Sequence, residues 1–208
     1  MEIKVSKRIW LILTLLLSSP VFAQSPVSAV GGNAGLWAGG EISTFNPDYE
    51  CPSNSPFSCG NQLIGLTALF DLNATTRWGG EGEARWLHWH GVGGEKESNY
   101  LIGPRYRFYQ HERFDVWAKL MIGGGWITTP HYPQAGSLQG SYFAVAPGIT
   151  ADYHLRDRWT VRADYEYQFW PSFTGPPTFN SSGQLVQHNH GLTPNGFSVG
   201  VSYRFLGQ

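Results

Sequence analysis

Fifteen charged side chains recur at alternate positions of eight short segments, and this spacing is the first feature of the sequence that could support chemistry. Alternate positions of an extended strand point to the same side, so these groups would share one face. Their near-balance predicts salt bridges that fill a narrow interior, because buried charges need partners. A narrow pathway for ions along the same side chains is the alternative. The eight acids are Glu41, Asp71, Glu81, Glu83, Asp115, Asp152, Asp164 and Glu166, and the seven bases are Arg77, Arg85, Arg105, Arg107, Lys119, Arg162 and Arg204.

Two His-x-His pairs could each place two imidazoles on one metal ion: His88 with His90, and His188 with His190. Zinc usually takes three or four protein ligands, and no Cys, Asp or Glu completes an obvious set around either pair. The glycine run 123–125 opens no helix, so it does not predict a phosphate-binding loop. We therefore expect neither a metal site nor a cofactor, and we interpret the glycines as positions that ease the curvature of the strand or let aromatic rings pack.

The two cysteines, Cys51 and Cys59, lie close together in a stretch rich in Pro, Ser and Asn. In an exported protein such a pair is expected to close a disulfide within one loop. A redox-active pair would favour the Cys-x-x-Cys spacing, which is absent here.

The polar positions alternate with apolar ones, which is the pattern of β-strands. None of the fifteen strand charges falls on the apolar parity. A charge facing lipid at the middle of a bilayer costs about 2–4 kcal/mol for Arg or Lys, so such strict exclusion favours a membrane-spanning barrel over a soluble one. The eight predicted strands cover residues 34–44, 64–72, 77–86, 100–108, 115–126, 142–153, 159–169 and 197–205.

The apolar face is also too bulky for the inside of a small barrel. It carries Trp78, Trp86, Trp126, Trp159 and Tyr165, whereas eight strands enclose a space just wide enough for side chains. Short connections alternate with long ones, as in outer-membrane barrels. The sequence therefore predicts an all-β, antiparallel, up-and-down transmembrane β-barrel of eight strands. Ten strands would result if the long connection 171–195 contained a further hairpin.

The first residues resemble a cleavable secretory signal. Lys4, Lys7 and Arg8 precede a short apolar stretch, and small residues end at Ala23. We expect a signal peptide over 1–23, a short periplasmic segment over 24–32 and a barrel domain over 33–208. Only 14 % of the residues are charged and the net charge is −1, which argues against a nucleic-acid partner.

The last predicted strand carries Ser198, Gly200, Tyr203 and Phe205 in the order of the β-signal of bacterial outer-membrane proteins, which it resembles. This resemblance implies recognition by the barrel-assembly machinery. Residues 33–205 are similar to the small OmpA-like, porin-family barrels, which implies location in the bacterial outer membrane. It also implies contact with outer-membrane lipid and lipopolysaccharide. We expect a monomer with a structural or surface-interaction role through its extracellular loops.

An enzymatic alternative comes from the segment 188–195, which resembles the region around the catalytic histidine of lipid A 3-O-deacylases. Acyl hydrolysis of that kind needs a serine activated by a histidine that an acid orients. The chain has His190 where that family carries the serine, and no Asp or Glu follows it. The sequence therefore favours a protein that is not an enzyme.

Overall fold

The structure is a computed structural model of the chain. It describes residues 35–48, 62–88, 95–128, 139–174, 178–179, 185–186 and 191–207. The predicted signal peptide, the segment 24–32 and the expected disulfide between Cys51 and Cys59 lie outside the described residues. Within the described residues, no helix is long and apolar enough to cross a membrane.

Alternating polar and apolar residues form long strands wherever the sequence predicts them. The strands of the described chain are β1 (Gly35–Asn46), β2 (Leu63–Asn73), β3 (Trp78–His88), β4 (Lys96–His111), β5 (Phe114–Thr128), β6 (Gln139–His154), β7 (Trp159–Tyr167), β8 (Thr178–Phe179), β9 (Leu185–Val186) and β10 (Asn195–Leu206).

Eight of these strands close into one barrel, in the order β1-β10-β7-β6-β5-β4-β3-β2. Every neighbouring pair is antiparallel, and β10 closes the barrel by pairing with β1. The predicted eight-stranded, up-and-down barrel is confirmed. The long connection 171–195 does contain a hairpin, formed by β8 and β9, but this hairpin is a separate two-stranded sheet. The ten-stranded alternative is therefore wrong.

Strand β7 shows how the alternation is used. Thr160, Arg162 and Asp164 are buried, whereas Trp159 and Tyr165, at intervening positions, are exposed. In a closed barrel the buried parity faces inward and the exposed parity faces outward. The outer surface is thus apolar and aromatic, and the inner surface carries the charges.

Aromatic rings cluster near both ends of the outer surface. Near one end the indole Nε1 of Trp86 donates a hydrogen bond of 3.0 Å to the Tyr100 hydroxyl, and Tyr100 contacts Trp126 edge to face at 5.3 Å. Near the other end, Trp159 and Tyr203 are 5.1 Å apart. Amphipathic rings of this kind suit the two interfaces between a membrane and water.

The two ends of the barrel differ in their connections. Short turns at 74–77, 112–113 and 155–158 lie at the end where β1 begins and β10 finishes, which we call the turn end. The connections 47–62, 89–95, 129–138 and 168–194 join the strands at the opposite end, which we call the loop end. In the first turn, Thr75 Oγ1 accepts a hydrogen bond of 2.9 Å from the backbone N–H of Trp78.

Candidate functional site: the barrel interior

Lys119 is the hub of the charged interior. Its ammonium Nζ lies 3.0 Å from Glu81, 2.9 Å from Asp164 and 3.2 Å from Glu166, and it also contacts Glu83. Lys119 lies on β5, whereas its partners lie on β3 and β7. These strands are not neighbours in the sheet, so the contacts span the lumen. We call these five residues the Lys119 cluster.

A second group of ion pairs lies nearer the turn end. The Arg105 guanidinium contacts Asp71 at 2.6 Å and Asp152 at 2.8 Å. The Arg162 guanidinium contacts the same two carboxylates, at 2.5 Å and 2.7 Å. Each acid is thus shared by two arginines from different strands. Glu81 joins this group to the Lys119 cluster through a contact of 3.0 Å with Arg105.

Arg85 extends the network toward the loop end. Its guanidinium contacts Glu83 at 2.7 Å and Glu166 at 2.8 Å, and it lies 4.2 Å from the centre of the Phe45 ring. Its Nε donates to Thr67 Oγ1 at 3.1 Å. The Arg85 side chain has no exposed surface, so its charge depends on these contacts.

The interior is more acidic than the sequence predicts. Among the described residues, ten acids but only four bases are buried, whereas the sequence predicts eight acids and seven bases in the lumen. Acids in excess of the bases can be buried only if several carboxylates share one base or if some of them bind a proton. The buried acids are Glu41, Asp71, Glu81, Glu83, Glu95, Glu97, Asp115, Asp152, Asp164 and Glu166, and the buried bases are Arg85, Arg105, Lys119 and Arg162.

Three predicted lumen bases lie at or beyond the turn end instead. Arg77 is exposed in the turn 74–77, because the hydrogen bonds of Thr75 keep this segment out of β3. Arg107 is half-buried and pairs with Asp115 at 3.0 Å. Arg204 is half-buried and donates hydrogen bonds to the backbone carbonyl of Asp157. The assignment of Arg77 to the lumen network is wrong, and the other two lie at its rim.

Two acids at the loop end were assigned to a connection, although they are buried. Strand β4 begins at Lys96, so Glu97 lies within it and has no exposed surface, while Glu95 just before it is 1 % exposed. Glu97 and Asn99 continue the inward parity of Arg105, a signal that was present in the sequence. Lys96 has the outward parity and is exposed at the first position of the strand.

An apolar cluster fills the interior at the loop end. Trp170, from the last long connection, has no exposed surface, and its indole Nε1 donates a hydrogen bond of 2.8 Å to Gln168. A Cβ on Gly125 would lie 2.2 Å from this indole, so the close approach requires glycine there. The cluster comprises Leu101, Met121, Ile127, Ala144, Ala146, Trp170, Phe173 and Leu192.

The family assignment follows from a match over most of the chain. Residues 9–205 match the family described as outer membrane protein beta-barrel domain. The chain belongs to this outer-membrane barrel family. This membership places the barrel in the bacterial outer membrane, as the sequence predicts. In such barrels the short turns face the periplasm and the long loops face the exterior, so the turn end is periplasmic and the loop end is extracellular.

Several solved outer-membrane barrels share the fold. OprG from Pseudomonas aeruginosa superposes with a TM-score of 0.57 at 13 % identity, over 85 % of this chain and 98 % of that one. Neisserial surface protein A gives 0.56 at 9 % identity, over 84 % and 100 %. Ail, the attachment invasion locus protein of Yersinia pestis, gives 0.51 at 17 % identity, over 83 % and 97 %. No curated protein matches the chain significantly. The likenesses show the fold alone.

Glu95 of this outer-membrane barrel titrates unusually. Burial, reinforced by the negative charge of nearby Glu97, raises the pKa of Glu95 from its ordinary value of 4.5 to about 8. Neither the Glu95 Oε1 nor the Glu97 Oε2 has a hydrogen-bond partner among the described residues. The surroundings of Glu95 therefore favour its protonated form at neutral pH.

Glu95→Gln is expected to change how stability depends on pH. Because the folded protein holds the Glu95 proton between pH 4.5 and about 8 while the unfolded chain has lost it, the free energy of unfolding falls as pH rises through this window. The neutral amide removes that loss, so the variant gains stability over the wild type at pH 9 and gains none at pH 4. Urea unfolding in detergent micelles across this range measures the difference. Glu112→Gln, in an exposed turn, is the control. A wild-type and a Glu95→Gln profile of the same slope would refute the assignment.

Trp170→Ala is expected to lower the free energy of unfolding by about 3–5 kcal/mol, because it leaves a large cavity in a well-packed cluster. Urea unfolding followed by far-ultraviolet circular dichroism measures the loss. Trp126→Ala, at an indole that is 47 % exposed on the outer surface, is the matched control and should cost less. Equal losses in both variants would contradict a packed extracellular interior.

A cavity remains at the periplasmic end. Its volume is about 290 Å³, and its wall includes Arg105 and Arg162 of the ion-pair network together with the residues of the periplasmic rim. We call it the periplasmic vestibule.

Carboxylates that could hold a metal ion already surround a cation. Oxygen atoms of Glu81, Glu83 and Asp164 lie within 4.8 Å of one another. The Lys119 ammonium contacts all three, so it supplies the positive charge at this point. Among the histidines of the predicted pairs, His88 contacts the Glu95 carbonyl at 3.2 Å. Outside the described residues lie the other three histidines of these pairs, which are His90, His188 and His190. Of the segment 188–195 that resembles deacylases, residues 188–190 are likewise outside the described part.

The four residues of the predicted assembly signal lie along β10, which closes the barrel. Ser198 is buried and its hydroxyl is 2.7 Å from that of Ser43 on β1. Gly200 pairs with Glu41 on β1. Tyr203 accepts a hydrogen bond of 3.0 Å from Arg158, and Phe205 is exposed on the outer surface.

Proposed function

We propose that this protein is a monomeric outer-membrane barrel with a closed lumen, which acts as a structural element or through contacts at its extracellular surface. The single observation that carries the proposal is the Lys119 cluster, whose five charged side chains from three strands meet across the lumen. An eight-stranded barrel encloses a space that such long side chains largely fill. A solute would have to separate these ion pairs in order to pass.

The layering of the interior supports closure. From the periplasm outward, a solute would meet the pairs of Arg105 and Arg162, then the Lys119 cluster, and then the packed cluster around Trp170. Breaking a buried ion pair by removing one partner costs about 3–5 kcal/mol, so the charged layers resist rearrangement. With the lumen closed, the surfaces left for activity are the extracellular connections, and the outer face meets lipid and lipopolysaccharide.

Proteoliposome swelling tests the closed lumen with neutral solutes. Vesicles containing the refolded protein are diluted into an isosmotic solution of a small sugar or amino acid, with a general porin as the positive control. Swelling no faster than that of protein-free vesicles is the expected result. Swelling that increases with the amount of protein would refute a closed lumen.

A narrow channel for small solutes is the second candidate, and the acidic excess of the interior favours it. Ten acids and four bases are buried in the described part of the chain, and this excess of acid would make such a channel selective for cations. Potassium and chloride fluxes from loaded proteoliposomes distinguish the two proposals. A potassium flux that depends on the protein would favour the channel.

The protein is proposed not to be an enzyme. Mass spectrometry of lipid A from cells with and without the protein tests the deacylase alternative, which requires loss of an acyl chain only when the protein is present.

Binding of the last strand to the barrel-assembly machinery is likewise proposed. Tyr203→Ala combined with Phe205→Ala is expected to lower the fraction of heat-modifiable, folded protein in the outer membrane, and an unchanged fraction would refute this role.

A further inference from the structure

Two arginines that line the periplasmic vestibule form no ion pair with any described residue. Arg113 and Arg156 both line it, one from each of two neighbouring turns. Neither guanidinium makes a hydrogen bond or an ion pair with any described residue. Exposed arginines are usually solvated, but here two of them flank one cavity of about 290 Å³. Planar guanidinium groups match the oxygen atoms of carboxylates and phosphates in pairs.

Three of the four acids in the vestibule wall are engaged by partners other than Arg113 and Arg156. Asp71 and Asp152 are each held by two arginines of the network. Asp115 accepts from Arg107 at 3.0 Å and from His154 at 3.0 Å. These three carboxylates are therefore engaged elsewhere. The fourth acid, Asp157, is exposed and carries one negative charge, so the two arginines leave a net positive charge at the mouth of the vestibule.

Buried hydrogen-bonding groups in the same wall lack partners. The indole Nε1 of Trp117 is a donor only, the residue is 2 % exposed, and no described residue accepts this hydrogen bond. The guanidiniums of Arg105 and Arg107 lie 4.0 Å and 5.3 Å from the Trp117 rings. Ser202, 1 % exposed, has an unpartnered hydroxyl in this wall. A buried donor without an acceptor is costly, so a ligand in the vestibule that reached these groups with an acceptor would be favoured.

The wall also offers acceptors without donors. The side-chain oxygens Asn73 Oδ1 and Asp115 Oδ1 are buried and have no hydrogen-bond partner among the described residues. A ligand that matched the whole wall would combine an oxyanion, for the arginines and the indole, with O–H or N–H groups for these two oxygens.

We propose that the periplasmic vestibule binds a small oxyanion, a phosphate or carboxylate group that also carries hydrogen-bond donors, between Arg113, Arg156 and the Trp117 indole. The site lies on the periplasmic side of the ion-pair network, and its occupancy does not depend on whether the lumen conducts. Hydrogen phosphate has both features, and a phosphate monoester, a hydroxy acid or an amino acid shares them.

Nuclear magnetic resonance of the indole N–H groups tests this site. The mature chain is refolded into nanodiscs of zwitterionic lipid, and inorganic phosphate is titrated at constant ionic strength against a chloride blank. Trp117→Phe identifies the Trp117 indole signal. A saturable shift of that signal by phosphate, and none by chloride, is the expected result.

Matched arginine variants separate the site from a generally basic surface. Arg113→Ala combined with Arg156→Ala is expected to weaken phosphate binding at least tenfold, whereas Arg113→Lys combined with Arg156→Lys retains part of it. Arg77→Ala, in a periplasmic turn but outside the vestibule wall, should bind as the wild type does. These arginines are exposed, so heat-modifiable migration should show that every variant folds.

Three results would overturn the proposal: no saturable shift, an equal shift by chloride, or an equal loss of binding in Arg77→Ala and the double alanine variant. A second set of nanodiscs containing phosphatidylglycerol distinguishes the source of the oxyanion. If a lipid headgroup occupies the site, the Trp117 indole signal is already shifted there before phosphate is added. If the ligand is a free solute, the signal in both sets of nanodiscs moves only with added phosphate.

Discussion

Replacing Lys119 with methionine is expected to lower the free energy of unfolding by about 3–5 kcal/mol, since it leaves buried carboxylates without their shared cation. The Lys119 ammonium contacts Glu81, Glu83, Asp164 and Glu166, and its side chain has no exposed surface. Methionine keeps most of the volume and removes the charge. Urea unfolding in lipid vesicles, at a pH near neutrality, measures the loss.

The matched control for this substitution is Lys96→Met, at the exposed first position of β4. An exposed lysine contributes little to stability, so this variant should unfold within about 0.5 kcal/mol of the wild type. If Lys119→Met unfolded like Lys96→Met, the four carboxylates would not depend on the lysine and the network would not hold the interior together.

Placing an arginine on the outer surface is also expected to destabilise the protein. Ile102 is 68 % exposed in the middle of β4, on the face that meets lipid. Ile102→Arg should cost about 2–4 kcal/mol, because the charge must enter the hydrocarbon core of the membrane. Leu206→Arg, at the periplasmic end of β10, should cost about 0–1 kcal/mol, because arginine there reaches the interface.

Comparison of the two arginine variants in vesicles by urea unfolding tests the placement of the membrane. A soluble barrel, or one with its faces reversed, would give similar costs at both positions. Equal costs would therefore contradict the assignment of the outer surface to lipid.

The strands and their two faces could be predicted because charged side chains are strictly excluded from positions that face lipid. The exclusion of charge from the apolar parity holds for every predicted strand, and β7 shows it at each position. A soluble fold tolerates exceptions at its edges, so its pattern would have been harder to interpret. The same rule explains why most of the predicted interior charges, such as Arg85 and Asp152, lie inside the barrel.

The ends of the strands were harder to predict, because turn chemistry and parity compete there. Arg77 has the inward parity, but the hydrogen bonds of Thr75 keep it in a turn. Glu95 and Glu97 fall before the predicted strand 100–108 and were therefore placed in a connection, although Glu97 continues the parity of β4. Together with Arg107 and Arg204 at the rim, these shifts turn a predicted balance of charge into an excess of buried acid.

The plug at the extracellular end could not be predicted from periodicity. Trp170 and Leu192 belong to a long connection whose sequence shows no extended alternation of polar and apolar residues. In the structure they lie in the interior and pair with each other through an isolated bridge. Gly125 is a local signal of this packing, since a glycine in a strand often marks a position that another group approaches closely. Which ring would approach it depends on the path of the connection, which the local pattern does not specify.

Single-channel recording from the refolded protein in planar bilayers tests the closed lumen most directly. The ion pairs of Lys119, Arg105 and Arg162 cross the lumen, and the proposed closure requires that they leave no continuous path for ions. The expected result is a baseline without stable steps, for protein whose heat-modifiable migration shows that it has folded and inserted. Uniform, long-lived conductance steps that appear only with the folded protein would contradict a lumen closed by its charges.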